Sequence, residues 1–565
     1  MKKIILTTLL LFSAGCLATS NEPPKPPQPS GNVVGLKTFE SCEDLRGFLE
    51  SKIEVEPLPL DAPIADSEEG TAERAPSETV EEADIVKREG DRLYVVNAAS
   101  GLLVYDLSDA AHPTRVGQIP LDLDPQEIYV EGSKVMVVGG TRVVVIDLSN
   151  PSSPVVSLKR DMEGSYTTSR KIGSSVYLVL QNWIAPYNLE GQLEKRDPCR
   201  SVYVPERIEI GDYFSLTSWD LVGIDLDRLA DEPAKVTVLG SYDSEITATP
   251  DHLYLTNLFY EEDKTGVYLF GLDSDGAAIV PLASASVPGR IVDQFSMDER
   301  DGFFRIATTT NRSTFGAADN RNYLTIFKVE EGGLTQAGQI DSITPGESIT
   351  AARFLGDRAF VTTYVTKDPL VSIDLSDPSS PKIMGELEVP GYASYLHPWG
   401  DLLISIGSSE EFWGEVILSL FDVSDLANPR LLEQVTLEGT YGSEAQTEHR
   451  AFSFFEDRGI LAIPLSLGSH SEIAVFSVSR EEGFTSLGAI SHDDLIESEN
   501  DYSPPMKRSL EIGDSLYTVS EAGLKVSSFA DLTESFGEMF PGYKVPDYWY
   551  CGCYGDVCYD CFLPE

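Results

Sequence analysis

Six histidines, His112, His252, His397, His449, His470 and His492, are scattered through a chain of 565 residues, and none sits in a motif that makes a reaction by itself. There is no Gly-x-Ser-x-Gly elbow, His-Glu-x-x-His pair, phosphate-binding loop or dinucleotide fingerprint. A site would have to be assembled from distant positions. The candidates lie in short polar stretches at the start of hydrophobic runs: Glu82, Asp84 and Lys87; Arg353; His397 in Tyr-Leu-His-Pro; Glu444, Glu448 and His449; Lys507 and Arg508. Carboxylates, imidazoles and guanidinium groups brought together bind a metal, orient an anionic ligand or move protons. Arg353, His397, Glu444 and His449 are the set a hydrolase or lyase would use. Glu82, Asp84, Lys87 and Arg508 form a binding set. The competing reading is that all these charges neutralise one another as a structural filling.

What would bring them together is a repeat. Residues 353–387, RFLGDRAFVTTYVTKDPLVSIDLSDPSSPKIMGEL, hold two apolar runs, a proline-rich turn and the start of a third run. Five copies share an apolar strand closed by Asp, an aliphatic residue and a polar residue: VYDLSD (104–109), VIDLSN (145–150), GIDLDR (223–228), SIDLSD (372–377) and LFDVSD (420–425). Each follows a second strand with its own turn, as in REGDRLYVVN and EIGDSLYTVS, whose Gly-Asp pairs suit hairpins. Counting both signals gives nine units, starting near residues 84, 125, 168, 244, 294, 349, 393, 449 and 509. The long third unit carries an insertion near 183–204 that contains Cys199. Four-stranded units at this period predict an all-β fold, a single β-propeller of eight or nine blades over residues 81–535. The innermost strands of a propeller line one channel, so scattered residues converge there. The repeated Asp106, Asp147, Asp225, Asp374 and Asp422 raise calcium as a cofactor, but one oxygen ligand per unit is too sparse for a cage of six to eight. Capping of the following turn explains them better. LDSDG (272–276) is read as a turn and HDDLIESEND (492–501) as a solvated loop; no resident cofactor or metal is expected.

The flanks speak of export. Lys2 and Lys3, an apolar run over 4–12 and Ser13-Ala14-Gly15 before Cys16 read as a lipoprotein-type signal over 1–15, with lipid on Cys16; plain secretion is the alternative. Residues 16–37 hold a proline-rich tether, NEPPKPPQPSG. A helix is expected over 38–53, capped by Ser41 with Asp44 and docked through Leu45, Phe48 and Leu49. An acidic linker occupies 54–80. Six further cysteines, Cys42, Cys199, Cys551, Cys553, Cys558 and Cys561, suit disulfides in an oxidising compartment. Cys42 and Cys199 pair by elimination, and the last four staple a Cys-rich tail over 536–565 or, alternatively, form a metal site.

With 91 acidic against 42 basic residues the formal charge is −49, a surface that repels nucleic acid and anionic lipid. It suits cations or basic partners. Trp183, Trp219, Trp399 and Trp413 would make a carbohydrate-stacking rim if they shared a face; most are expected in blade packing instead.

The block GDRAFVTTYVTKDPLVSIDLSDPSSPKIMGELEVPGYASYLHPWGDLLISIG (356–407) resembles the hallmark of a secreted bacterial and archaeal C-terminal beta-propeller family, distantly similar to WD40-type repeats. EEADIVKREGDRLYVVN (81–97), LSLFDVSDLANPRLLEQ (418–434), EHRAFSFFEDRGILAIPLSL (448–467) and RSLEIGDSLYTVSEAGLK (508–525) extend the resemblance over about 78–535. It implies an exported propeller and supplies no catalytic assignment. The expected function is a monomeric, non-enzymatic binding scaffold, lipid-anchored at the cell envelope, with an envelope protein or glycan as partner. The alternatives are a hydrolase or lyase with a channel site, and a divalent-cation-binding surface protein.

Overall fold

A strand that is apolar on both faces must be covered on both sides, and stacking sheets around a ring meets that need. In the VIDLSN unit, Val143 and Val145 pack into the sheet that follows, while Val144, Ile146 and Leu148 pack into the sheet that precedes. Alternation along the strand therefore decides which neighbour a side chain touches, not whether it is buried.

The computed structural model of the chain describes residues 36–50, 80–184, 201–205, 216–241, 243–259, 263–273, 276–310, 320–330, 333–364, 368–409, 414–496, 503–545, 553–554 and 557–558. They form nine antiparallel meanders, the blades of a propeller, which settles the blade number at nine. Eight have four strands in sequential order; the third is widened to six. The innermost strands are Val86–Glu89, Glu127–Glu131, Ser165–Ile172, Ile246–Ala248, Met297–Arg300, Ser348–Leu355, Tyr392–Trp399, Ser453–Phe455 and Met506–Ile512.

Blade 3 owes its extra width to two flanking pieces. Val202–Pro205, the end of the expected insertion, lies parallel to the outer strand Ala234–Gly240, and Leu36–Lys37 pairs antiparallel to it. The helix Cys42–Glu50 follows, starting four residues later than expected, with Asp44 N donating to Ser41 Oγ (3.1 Å) and Ser41 Oγ–H to Asp44 Oδ2 (2.8 Å). Its Leu45 and Leu49 are fully buried against Ile184, Val202, Val204 and Leu239. A single amphipathic helix cannot cover its own stripe, and the blade edge does it here. The signal, Cys16, most of the tether, the linker up to residue 79, Cys199, Trp413, Trp549, Cys551 and Cys561 lie outside the described residues. In the tail, Cys553–Tyr554 pairs with Val557–Cys558, Cys553 opposite Cys558.

The ring closes without exchanging a strand between the chain ends. Blade 9 comes wholly from C-terminal strands, Met506–Ile512 to Glu534–Met539, and meets blade 1 face to face. Leu93, Val95, Leu103 and Tyr105 pack there on Tyr517, Val519, Leu524 and Val526. Polar pins cross the same seam: Asn97 Nδ2 donates to Glu521 O (2.8 Å), Tyr517 OH to Ala110 O (2.6 Å), and Arg115 pairs with Glu538 (3.1 Å).

The signature aspartates are turn caps. Asp106, Asp147, Asp225, Asp374 and Asp422 each accept from the backbone N–H two residues on, at 2.8–3.1 Å. The proline turns that follow reach the neighbouring blade. A methyl group on Gly338 would meet Pro378 O at 2.3 Å, and one on Gly385 would meet Leu426 O at 2.5 Å. The outer strand of one blade thus gives up a side chain so that the turn of the next can seat. One expectation changes. His492 does not open a solvated loop: it is fully buried and hydrogen-bonded to Ser520 Oγ (2.8 Å) and Thr518 Oγ1 (3.0 Å). Trp219 lies in blade packing, as expected of most of the tryptophans, buried with its Nε1–H on Ser241 O (2.8 Å).

Gly385→Ala should push the seated turn away and lower the unfolding free energy by about 1–3 kcal/mol, the usual range for overpacking. Chemical unfolding measures it, and an unchanged midpoint would show that the turn seats loosely.

Candidate functional site

The polar stretch before blade 1 runs along the axis. Glu81 exchanges backbone hydrogen bonds with Lys171 (2.8 and 2.7 Å) on the innermost strand of blade 3, and Asp84 with Ile128 (3.4 and 2.9 Å) on that of blade 2. Both bridges are antiparallel. Residues 81–84 are therefore an extra piece of strand laid on the inner edges of blades 2 and 3, inside the ring.

Its three carboxylates meet cations from elsewhere in the chain. Glu81 pairs with Lys87 (3.3 Å) and Lys171 (3.1 Å), and Lys171 also with Glu131 (2.7 Å). Glu82 Oε1 takes Arg170 Nη2 at 2.7 Å, and Glu82 Oε2 faces His449 Nε2 at 3.7 Å. Asp84 Oδ1 accepts from Arg508 Nε at 2.9 Å. Arg508, only 4% exposed, also reaches Glu444 (2.9 Å) and Glu448 (3.5 Å). Lys507 takes the other oxygen of Glu444 at 3.0 Å. Arg450 ties Glu448 (2.7 Å), Glu127 and the carbonyl of Ala83 into the same network.

Two short helical turns present the blade 8 members. Glu444–Gln446 starts at a capping box on Ser443, and His449–Ala451 is capped by Glu448, whose Oε1 accepts from Arg450 N (3.1 Å). Burial alone would raise the Glu448 carboxyl, but Arg450, Arg508 and His449 outweigh it and hold it at about 2. Glu448 is thus a fixed anion.

A second, aromatic neighbourhood adjoins this cluster. Arg353, midway along the blade 6 inner strand, lies 4.0 Å above the Phe295 ring and 5.8 Å from that of Tyr395. Cation–π contact of this kind is favourable where water is excluded. Asp293, pushed up to about 6 by burial and eased back by Ser296 and Arg353, caps the turn Gln294–Ser296. The His397 ring sits 5.3 Å from Phe452 and 5.5 Å from Phe454, with Nδ1 3.3 Å from Tyr395 OH and Nε2 shielded from solvent. His449 stands edge-on to Phe295 at 6.0 Å.

Of the expected binding set, Glu82, Asp84 and Arg508 thus lie in one ion-pair network with Glu444, Glu448, His449 and Lys507, while Lys87 pairs with Glu81 in a second one, with Lys171 and Glu131, and touches the first through the carbonyl of Glu82. Arg353 and His397 lie in the aromatic neighbourhood, joined to the network through Phe295 and His449. Arg170, Lys171, Glu127 and Arg450 escaped the sequence reading. A signal existed: Arg170-Lys171 precedes an Ile-Gly turn, as Lys507-Arg508 does a few residues ahead of Ile512-Gly513. Among the described residues no group of three or more His, Cys, Asp or Glu is placed to hold a metal ion.

A beta propeller domain model matches residues 75–532. An uncharacterized protein of Methanocaldococcus jannaschii is 25% identical over 524 residues, 78% of this chain and 79% of its own. An uncharacterized protein of Archaeoglobus fulgidus is 37% identical over 205 residues, 36% of this chain and 30% of its own. Among solved structures, Sqt1 of Saccharomyces cerevisiae aligns with 75% of this chain and 88% of its own at 11% identity, with a TM-score of 0.36.

Arg508→Met would leave three carboxylates facing a gap, so it should lower the unfolding free energy by about 3–5 kcal/mol. Adding Asp84→Asn should cost less than the sum of the two single changes, a coupling that a double-mutant cycle reads directly. Additivity would mean that the pair does not hold the ring.

Acid should loosen the fold through two histidines. Burial, helped by Arg353 at His397 and by Lys525 at His492, lowers each imidazole to about 3. An unfolded histidine titrates near ~6.5, so the unfolded chain takes the protons first. Their contribution is complete above about 6.5 and is lost as the pH falls toward 3. His397→Phe, which suits its aromatic surroundings, should narrow the gap between urea midpoints at pH 7 and pH 5. An unaltered gap would refute a neutral, buried imidazole at that position.

Proposed function

The chain belongs to the beta propeller domain family, and on that footing we propose that it is an exported, membrane-tethered propeller acting as a non-enzymatic binding scaffold at the cell envelope. The observation that carries the scaffold reading is the internal matching of charge on the axis: Glu81, Glu82, Asp84, Glu127, Glu444 and Glu448 each meet a lysine or arginine of another blade or turn. A base poised for catalysis needs a pKa near the working pH, whereas Glu448 is held at about 2 by its neighbours. The axis is then a structural bolt, and the broad faces and edges of the disc are left for partners.

Export and tethering rest on the signal over residues 1–15, the small residues before Cys16 and the proline-rich stretch after it. A lipid on Cys16 and a stiff tether would hold the disc clear of the membrane surface, which its negative charge disfavours. In that oxidising compartment Cys42 would take Cys199 as its partner, by elimination, and tie the N-terminal helix to the insertion of the third unit.

Cell fractionation tests the anchor. The wild-type chain should sediment with membranes and enter detergent on phase separation, while Cys16→Ser should not be lipidated; a membrane-bound Cys16→Ser chain would overturn the anchor. Photo-crosslinking of the full chain in the cells that make it tests the scaffold. Discrete adducts of higher mass are expected, and their absence over several salt conditions would overturn it.

A further inference from the structure

At the junction of blades 8 and 9, beside the axial cluster, lies a cavity of about 510 Å³. That is within the range of small-molecule sites, roughly 300–1,000 Å³. Pro464, Leu465, Pro505 and Met506 give it an apolar wall, and Glu444 stands where it adjoins the axis. The wall is pre-set by its own hydrogen bonds: Met506 N donates to Ser471 Oγ (3.1 Å), and Ser471 N to Ser503 Oγ (2.9 Å). Ser466 and Ser469 bring exposed hydroxyls to the opening.

The ionic groups of the lining are already matched. Glu444 is shared by Lys507 and Arg508, and His470 lies between Glu472 (3.3 Å) and Asp493 (3.0 Å). With the Glu444 carboxylate at the wall and −49 on the whole chain, an anionic ligand is repelled. Glu444 keeps its capacity to accept further hydrogen bonds, since an ionised carboxylate offers about four lone-pair sites.

An independent feature lies at the rim. Tyr441 is 71% exposed, although its backbone is fixed by Tyr441 N donating to Ser466 O (2.8 Å). Its ring lies over Gly468, a cavity residue, where an added methyl would come 3.7 Å from the ring edge at Cε2. An aromatic ring on a fixed backbone, left open to water beside hydroxyls and an apolar wall, matches a ligand with one apolar face and a rim of hydroxyls. A pyranose ring has that form.

We propose that the cavity between blades 8 and 9 binds a neutral saccharide of one or two pyranose units, stacked on Tyr441 and hydrogen-bonded by Ser466, Ser469 and Glu444. This deepens the scaffold reading, on which it rests, by naming the ligand class. The test presents the purified full chain to immobilised neutral hexose and N-acetylhexosamine disaccharides, with uronic-acid disaccharides alongside, and titrates the best binder. At least one neutral saccharide should bind and the uronic acids should not. Tyr441→Ala should weaken that binding about tenfold, while Tyr441→Phe, which keeps the ring, should stay close to wild type. Because the side chain is exposed, both variants should unfold at the wild-type midpoint. The proposal is overturned if no neutral saccharide binds at millimolar concentration, or if Tyr441→Ala binds as wild type does. A chain that crosslinks to a partner in cells yet ignores every saccharide refutes this assignment alone; one that does neither refutes the scaffold as well.

Discussion

Three carboxylates on four consecutive residues, Glu81, Glu82 and Asp84, must be neutralised inside a ring of β-sheets, and much of the centre of the molecule is arranged to do so. An unmatched ion withdrawn from water costs several kcal/mol, more than most single contacts return. The neutralising groups come from blade 1 (Lys87), blade 3 (Arg170 and Lys171) and blade 9 (Arg508), with His449 beside them. Electrostatic necessity therefore ties distant blades to one short segment. Backbone hydrogen bonds to blades 2 and 3 fix where that segment lies.

The same requirement bears on how the ring closes. No strand is exchanged between first and last blades, so the seam depends on side chains: the apolar face shared by blades 1 and 9, the polar pins across it, and Arg508 reaching Asp84 from the inside. Turn-into-glycine seating at Gly338 and Gly385 adds a contact between successive blades at the periphery. Dispersion and burial hold each pair of neighbours, and some axial ion pairs, such as Arg450 of blade 8 with Glu127 of blade 2, act between blades that are not neighbours. In the proposed scaffold, binding falls to surfaces outside this framework, such as the blade 8–9 cavity and its tyrosine.

The architecture was legible because each blade repeats one grammar. Paired apolar runs, Asp-capped turns and Gly-Asp hairpins located all nine innermost strands to within a few residues, and the aspartates proved to be caps, as one oxygen per unit implied. The site was legible only in part. Polar residues near the start of five units were expected to share the channel, since propeller geometry sends every inner strand there, and the structure gathers them into adjoining ionic and aromatic neighbourhoods. Which of them touch could not be read, because that depends on rotation around the ring and on height along the axis, and neither has a local sequence signal. Arg450 was passed over beside His449 for that reason. His492 was misjudged because acidic neighbours made its stretch look solvated, although one imidazole can be buried wherever two hydroxyls receive it.

Native-state hydrogen exchange at the amides of Glu81, Asp84, Ile128 and Lys171 tests most directly whether residues 81–84 bolt the ring. If they do, these amides exchange only with global unfolding and share the free energy of the core strands of blades 1 and 9. Rapid exchange at these four while the blades stay protected would contradict it, for the segment would then be a loose plug and the axis an open, exchangeable site.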